Sequence, residues 1–246
     1  MKILVTGHRG FIGTQLCKFL EDYEIIGLDI KEDVDQNILY CELPNVDMVI
    51  HLAGIGGVRE SMEDPKRYWY NNVEGTKRIL DRYKNTRVLV AGSSSQYEPH
   101  LNPYAASKNI IEYIPHPNVC FMRFHTVYGD VPRANMFFDK LLNNKLEYVT
   151  NHERDFIHIE DLCDAIGLIM CDIKVQGPID IGTGTTVKIS NIRPDLPIRL
   201  NTPGERQRTQ ANITKLTRLG WKPKHTVKDF LTNKGFEYTI NTNGEL

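Results

Sequence analysis

The sequence predicts an α/β fold, a doubly wound parallel sheet with a small C-terminal lobe. In the first half of the chain, short and almost wholly apolar runs alternate with segments of helical spacing. Runs that are apolar at nearly every position are typical of strands covered by helices on both faces. Their regular alternation with helical segments favours a parallel sheet with helices on both sides.

Five apolar runs bounded by turn residues predict the strands of this sheet, at residues 2–6, 24–29, 47–53, 86–92 and 118–124. Two segments with helical spacing lie between them, at 11–22 and 65–84. In the second segment, one helical face is predicted to carry Trp69, Val73, Thr76, Leu80 and Tyr83.

The second half of the chain has a weaker pattern. Helices are predicted at 134–143 and 159–170 and short strands at 179–181 and 187–189, and four prolines between 194 and 223 interrupt the remainder. We therefore predict a domain built on the sheet over residues 1–129 and mainly a smaller substrate-binding lobe over 130–246. A return of the chain from that lobe to the sheet is left open.

Composition excludes several classes of protein. The 246 residues are 41% hydrophobic, and 30 basic residues balance 31 acidic ones, so no net charge favours a nucleic-acid partner. We expect a cytoplasmic protein that does not enter a membrane, because no apolar run spans one and none resembles a signal segment. The five cysteines are scattered without a CxxC spacing, which predicts neither a metal site nor disulfides.

A glycine-rich turn follows the first predicted strand. Gly7, Gly10 and Gly13 stand three residues apart and lead into a predicted helix. This pattern is typical of the Rossmann-type turn, in which backbone N–H groups at the helix start, here around Phe11 and Ile12, bind a dinucleotide pyrophosphate. An ordinary strand-to-helix turn is the alternative.

Asp29 ends the second predicted strand, 22 residues after Gly7. A carboxylate at this point bonds the adenosine ribose hydroxyls and repels a 2′-phosphate, which favours NAD over NADP. The nearby Arg9 and Lys31 weaken that preference, and a simple turn aspartate is the alternative.

Eight motifs, in order, resemble those of the extended short-chain dehydrogenase/reductase superfamily, specifically its nucleotide-sugar epimerases and dehydratases, and most closely UDP-hexose 4-epimerases. They are TGHRGFIG, VIHLAG, PKRYWYNNVEGT, GSSSQY, PYAASK, RFHTVYGD, RDFIHIEDL and PGERQRTQANITKLTRLGWKP. The resemblance spans nearly the whole chain and implies a tightly held NAD. Leu52, Ala53, Gly54 and Asn72 match family positions that line the cofactor, although a surface position is the alternative for Asn72.

Within PYAASK, Tyr104 and Lys108 match the catalytic and cofactor-binding pair of the family. Their spacing of four puts them on one face of a helix. An ammonium about 4 Å from the phenol is worth roughly 4 kcal/mol at an effective dielectric constant near 20, enough to lower the phenol pKa by about 3 units. Tyr104 would then accept a proton from a sugar hydroxyl while the hydride leaves for NAD. Outside this context, such a pair is usually an exposed helix face.

Ser93, Ser94 and Ser95 close the predicted strand 86–92, at the edge where open α/β sheets bind ligands. The resemblance implies that Ser93 bridges the substrate and Tyr104, with Ser94 as the second choice; three polar turn residues are the alternative. Similar dehydratases, decarboxylases and epimerase-reductases carry a carboxylic acid or a cysteine where Ser94 and Ser95 stand. We therefore predict oxidation and re-reduction at one carbon, the reaction of a 4-epimerase that passes through a 4-keto sugar.

The resemblance also implies substrate contacts in the second half. Thr126 replaces an asparagine that bonds the substrate, and Arg154 matches a diphosphate contact, unless it forms an ordinary surface ion pair. The second diphosphate arginine of the family is missing, and we expect one of three nearby residues to replace it: Arg206, our choice, Arg199 or Arg208. Thr209 falls near the C2 substituent of the sugar and leaves room for N-acetylhexosamines, unless it is merely a strand residue.

Two further expectations concern assembly and rival functions. Pro115 and Pro117 limit the helix that begins at Tyr104 to about three turns. Family dimers pair this helix with the one at 65–84, so its shortness predicts a weak homodimer or a monomer. The rivals to an epimerase of UDP-hexoses are a reductase or dehydrogenase that acts once, and a dinucleotide-sensing protein without catalysis. The presence of Ser93 with the Tyr/Lys pair disfavours the sensor.

Overall fold

A computed structural model describes residues 1–200 and 202–236. The strands, in chain order, are β1 (Lys2–Thr6), β2 (Glu24–Leu28), β3 (Met48–His51), β4 (Arg87–Ser93), β5 (Val119–Phe124), β6 (Thr126–Tyr128), β7 (Glu153–Arg154), β8 (Phe156–His158), β9 (Gly177–Ile181) and β10 (Val187–Lys188). The α-helices are α1 (Phe11–Phe19), α2 (Val58–Glu63), α3 (Pro65–Tyr68), α4 (Gly75–Arg82), α5 (Pro103–Ile110), α6 (Phe137–Leu142), α7 (Ile159–Cys171), α8 (Thr214–Arg218) and α9 (Val227–Asn233).

Six strands form the central sheet in the order β2-β1-β3-β4-β5-β9, and all neighbours are parallel. The predicted doubly wound sheet is therefore confirmed. The strand order changes direction between β1 and β3, so the carboxyl ends of these strands border the crevice where such sheets bind ligands.

Two apolar layers cover the sheet, one on each face. Ile3 and Val5 of β1 point into the layer of α1 and α7, whereas Leu4 between them points into the layer of α4. Alternate residues of one strand are thus buried on opposite faces. This explains why the strands are apolar at nearly every position in the sequence.

The segment 65–84 is not one regular helix. Between α3 and α4 the structure has a π-helical segment, Trp69–Glu74. Four residues of the predicted face are buried as expected, but Trp69 is 47% exposed, so its place on that face is wrong. A π-helical turn holds more residues than an α-helical turn and shifts the side chains before it around the axis.

The second half of the chain contributes to two layers. Strand β9 returns to the central sheet beside β5, and α7 packs on α1. The remaining segments form a smaller body with a third apolar cluster, which includes Tyr128, Phe138 and Phe230. Two small sheets belong to it, antiparallel β7–β10 and parallel β6–β8.

Helix α5 has eight residues and continues into one 3₁₀ turn, Ile111–Tyr113. Because so short a helix offers little area to a partner, a weak dimer or a monomer remains our prediction. Light scattering over a concentration series is expected to show mostly monomer at micromolar protein. A dimer that persists on dilution would contradict it.

Candidate active site

The glycine turn after β1 is packed too tightly for side chains. Gly7 has φ +74°, and a Cβ built on it would lie 2.7 Å from the backbone nitrogen of Ala53. A Cβ on Gly13 would lie 2.2 Å from the carbonyl oxygen of Gly7. The amide of Gly10 closes the turn by donating to the carbonyl of Gly7 at 2.9 Å. Both Gly7 and Gly13 therefore have to be glycine.

Helix α1 begins at Phe11 with its amino end uncapped. Its N-cap, Gly10, supplies no side-chain hydrogen bond, and the first turn carries no acidic residue. The first N–H groups of a helix lack intrahelical partners, so those near Phe11 and Ile12 offer donors and partial positive charge to an anion. The tight turn and the uncapped helix together fit a dinucleotide pyrophosphate.

Asp29 lies next to this turn, just past β2. Its side chain accepts hydrogen bonds from the backbone amides of Arg9 and Lys31, both at 2.9 Å. A carboxylate oxygen can accept more than one hydrogen bond, so this arrangement fixes the group without using up its capacity for ribose hydroxyls.

The loop after β3 is held by the buried Asn72. The side-chain amide of Asn72 donates to the carbonyl of Ile55 at 3.0 Å and to Oγ of Ser107 at 2.9 Å, and its oxygen accepts from the amide of Ile55 at 2.9 Å. Asn72 is 0% exposed, which excludes the surface position left open above. It therefore supports the loop that carries Leu52, Ala53 and Gly54.

Lys108 on α5 reaches that same loop. A Cβ built on Gly54 would lie 3.5 Å from its Nζ, and Nζ donates to the carbonyl of Ala91 on β4 at 2.8 Å. The lysine is 7% exposed, so its ammonium lies at the dinucleotide crevice rather than on an exposed helix face. Burial lowers the pKa of Lys108 to about 8.

Tyr104 lies one turn before Lys108 and lines a cavity together with Ser93. Burial raises the pKa of Tyr104, and the hydroxyl of Ser93 and the positive charge of Arg133 oppose that rise. The expectation that Lys108 depresses this pKa is wrong, because the sequence estimate counted attraction but omitted the cost of removing the phenolate from water.

A cavity of about 950 Å³ opens above Ser93 and Tyr104. Every residue predicted to contact the substrate lines it: Ser93, Ser94, Ser95, Thr126, Arg154, Arg206 and Thr209. Their individual roles remain predictions. Among the three candidate arginines, Arg206 lines the cavity and donates to the carbonyl of Ser94 at 2.8 Å. Arg199 instead lies over the ring of Tyr148, and Arg208 pairs with Glu153 at 3.2 Å.

Arg154 is 15% exposed in its side chain and lies 3.9 Å from Glu205. Burial lowers its pKa from the usual arginine value. It is thus a buried cation at the cavity wall rather than a solvated surface ion pair.

Arg133 is a cavity residue that the sequence analysis missed. It follows β6 in a segment without periodicity, and a Cβ on Gly56 would lie 3.3 Å from its Nη1. Within residues 1–200 and 202–236, the ion pairs of the structure do not include Arg133. Its side chain lines the cavity, and its positive charge opposes the rise in the pKa of Tyr104.

One cluster outside the cavity has the residue types of a metal site. Ligand atoms of His158, Glu160 and His225 lie within 4.8 Å of one another in the described part of the chain. The two imidazole rings are stacked with their centroids 4.3 Å apart. The lone pairs of their nitrogens lie in the ring planes and therefore do not converge on one ion. His225 is already bonded to Asp161 at 3.0 Å. We assign this cluster no metal.

Residues 3–182 match the NAD dependent epimerase/dehydratase family, and the chain belongs to that family. Solved structures similar to this chain hold NAD together with a UDP-sugar. No helix of the described residues is both long and apolar enough to cross a membrane.

Individual relatives are similar over nearly their whole length. An uncharacterized UDP-glucose epimerase YtcB of Bacillus subtilis is 27% identical, with 95% of this chain and 96% of the relative covered. A UDP-glucuronate 4-epimerase of Thermodesulfobacterium geofontis is 26% identical, with 98% and 96% covered. The structure of MoeE5 in complex with UDP-glucuronic acid and NAD has a TM-score of 0.80 at 25% identity, covering 94% of this chain and 97% of MoeE5.

Two facts qualify this similarity. The alignment with YtcB extends over 305 positions against 246 residues here, so the relative carries internal segments that this chain lacks. Similar proteins also include a GDP-6-deoxy-D-talose 4-dehydrogenase and a dTDP-glucose 4,6-dehydratase. Membership of the family therefore establishes NAD as the cofactor and a nucleotide sugar as the substrate class. The type of reaction has to be inferred from the residues of the site.

Proposed function

We propose that this enzyme inverts C4 of a UDP-linked hexose through a 4-keto intermediate. One observation carries the proposal: Ser93 and Tyr104 line the same cavity, and Lys108, one helical turn on, lies against the dinucleotide loop at Gly54. A general base, its bridging hydroxyl and a cation thus meet where a sugar carbon and a nicotinamide would lie side by side.

The residues of the chain divide the chemistry between them. Tyr104, in its ionised form, accepts the proton of the C4 hydroxyl, and Ser93 holds that oxygen in line. The positive charge of Arg133 favours the ionised phenol and offsets part of the cost of its burial, while the ammonium of Lys108 would hold the cofactor at the loop of Gly54. The glycine turn and Asp29 would hold NAD, which would supply reversible hydride transfer at C4. A cavity of about 950 Å³ leaves the keto sugar room to present its other face before the hydride returns to carbon and the proton to oxygen.

The neighbours of Ser93 favour epimerisation over dehydration. Ser94 and Ser95 continue the chain along the cavity, and neither can serve as an acid or base toward a second carbon. Glu205, an acid of the cavity wall, is engaged by Arg59 at 2.9 Å and by His152 at 3.4 Å.

Arg133 favours a hexuronate as the sugar. Its guanidinium lines the cavity together with Tyr104 and has no ion-pair partner among residues 1–200 and 202–236. It therefore fits a carboxylate, which it can hold by two parallel hydrogen bonds. The substrate carboxylate would stand at C5 of the sugar, near the reacting C4. Several of the similar proteins are named as UDP-glucuronate or UDP-glucuronic acid 4-epimerases, and MoeE5 was solved with UDP-glucuronic acid.

The reaction is tested by incubating the enzyme separately with UDP-glucuronate, UDP-glucose and UDP-N-acetylglucosamine and following the sugars by NMR. We expect C4-inverted products with no net reduction of NAD. Stoichiometric NADH without an inverted sugar would identify the rival dehydrogenase. Turnover of the N-acetylated sugar tests the prediction that Thr209 leaves room at C2.

Replacing Arg133 with methionine is expected to lower kcat/KM for UDP-glucuronate about 10- to 100-fold, the value of a charged hydrogen bond. Activity on UDP-glucose should fall by less than about fivefold, because an exposed cation contributes at most about 1 kcal/mol to the ionised phenol and no substrate carboxylate loses its partner. Arg67→Met, at another exposed arginine of the same cavity, is the control and should affect both sugars little. Equal losses on both sugars would contradict recognition of a carboxylate.

A further inference from the structure

The adenosine end of the crevice contains a charge pair that the sequence analysis did not anticipate. The guanidinium of Arg9 is hydrogen-bonded to the carboxylate of Glu32. The same carboxylate lies 3.0 Å from Nε2 of His8. The backbone amide of Arg9 donates to Asp29, the residue predicted to bond the ribose, so the charge pair lies beside that carboxylate.

His8 gives Glu32 a fixed position. A Cβ built on Gly27 of β2 would lie 2.6 Å from the His8 ring, so the ring is packed directly on that strand. Its side chain is only 11% exposed, whereas that of Arg9 is 55% exposed. Glu32 is thus anchored from the strand side by His8 and holds the more exposed Arg9 on the other side.

Arg9 is the residue that would otherwise receive a 2′-phosphate. In dinucleotide sites of this type, an arginine near the acidic residue accommodates the phosphate of NADP. Arg9 and Lys31 supply two cations here, and Lys31 Nζ lies 3.4 Å from the Arg9 carbonyl. Asp29 and Glu32 supply two carboxylates that balance these two cations.

We propose that Glu32 is a specificity-determining residue that enforces NAD by keeping Arg9 from a 2′-phosphate. Asp29 would bond the ribose hydroxyls directly. Glu32 pairs with Arg9, the cation that would otherwise bind the 2′-phosphate of NADP. The ionised state of Glu32 fits this role, since the hydrogen bond from Arg9 lowers the pKa of its carboxyl. The inference depends on the dinucleotide site alone and not on the proposed sugar chemistry.

The test measures NAD and NADP binding to the protein by calorimetry, without any sugar. Glu32→Gln keeps the shape of the side chain and removes its charge. We expect NADP affinity to rise about 10- to 100-fold, as one charged hydrogen bond becomes available. NAD affinity should stay within about threefold, because Asp29 is untouched.

Two further variants separate this mechanism from a general change of charge. Asp35→Asn removes an equal charge from an exposed residue three positions on and should leave NADP affinity unchanged. The double variant Arg9→Gln with Glu32→Gln should lose the gain in NADP affinity. Unchanged NADP affinity in Glu32→Gln, a gain that persists without Arg9, an equal gain in Asp35→Asn, or loss of NAD binding in Glu32→Gln would each overturn the proposal.

Discussion

Replacing Tyr104 with phenylalanine is expected to lower kcat for C4 inversion by about 10²- to 10⁴-fold, the usual contribution of a positioned general base. The substitution removes one hydroxyl and keeps the ring. That ring packs edge-on against Tyr68 with centroids 6.1 Å apart, so the helix should keep its place. NAD binding should change little, because the glycine turn and Asp29 lie elsewhere in the crevice.

Tyr68→Phe is the matched control for this experiment. Tyr68 lines the same cavity, but its hydroxyl donates to the carbonyl of Gly56 at 3.3 Å and not to Ser93. Its kcat should stay within about threefold of the wild-type value, since a neutral hydrogen bond contributes about 1 kcal/mol or less. Turnover of Tyr104→Phe near the wild-type rate would remove Tyr104 as the base.

The pH profile of kcat carries a second check on the same residue. Because burial raises the pKa of Tyr104, the ionised base is scarce at neutral pH, and kcat should rise with pH through the alkaline range. This rise should disappear in Tyr104→Phe. A kcat that falls steadily from pH 7 to pH 9 would contradict a phenolate base.

The sheet could be predicted from sequence because its central strands are buried on both faces. Ile3, Leu4 and Val5 are all 0% exposed, so their run of apolar residues carries the structural information by itself. Trp69 shows where such information ends. Its exposure depends on a π-helical segment, and the apolar spacing of 65–84 gives no sign of that irregularity.

In the candidate site too, local spacing could be predicted from the sequence, whereas contacts between distant residues could not. Glycines three apart and a Tyr/Lys pair four apart are close in sequence, so their geometry follows from one turn and one helix. Arg133 reaches Gly56 from a loop more than 70 residues away, and only the folded chain brings the two together. The sign of the Tyr104 pKa shift failed for a related reason, because burial by remote segments decides it.

Lys108→Met is expected to stabilise the protein while lowering its activity. The pKa of the buried Lys108 falls from 10.5 to about 8, and a shift of this size corresponds to roughly 3 kcal/mol of unfavourable burial of the charge. Methionine fills a similar volume without a charge, although the carbonyl of Ala91 loses a donor at a cost of about 1–2 kcal/mol. The net gain of about 1–2 kcal/mol should raise Tm by about 2–8 °C. We expect kcat to fall about 10²-fold with loss of a charged hydrogen bond at the reacting groups.

The sign of the pH dependence distinguishes this cause of stabilisation from better packing. Since the folded pKa lies below the unfolded one, the unfolded chain binds more protons between about pH 8 and 10.5, and wild-type stability gains from this group as pH rises through that window. The gain in stability of Lys108→Met over wild type should therefore be full below pH 8 and shrink toward pH 10.5.

Lys215→Met is the control, because Lys215 also donates to a backbone carbonyl, that of Pro178 at 2.7 Å, but lies in solvent. A Lys108→Met protein that is less stable than wild type at pH 7, or whose advantage does not depend on pH, would show that the buried ammonium costs the fold nothing. The proposed role of Lys108 requires that the fold is less stable because it keeps this charge for catalysis. Either result would contradict that requirement.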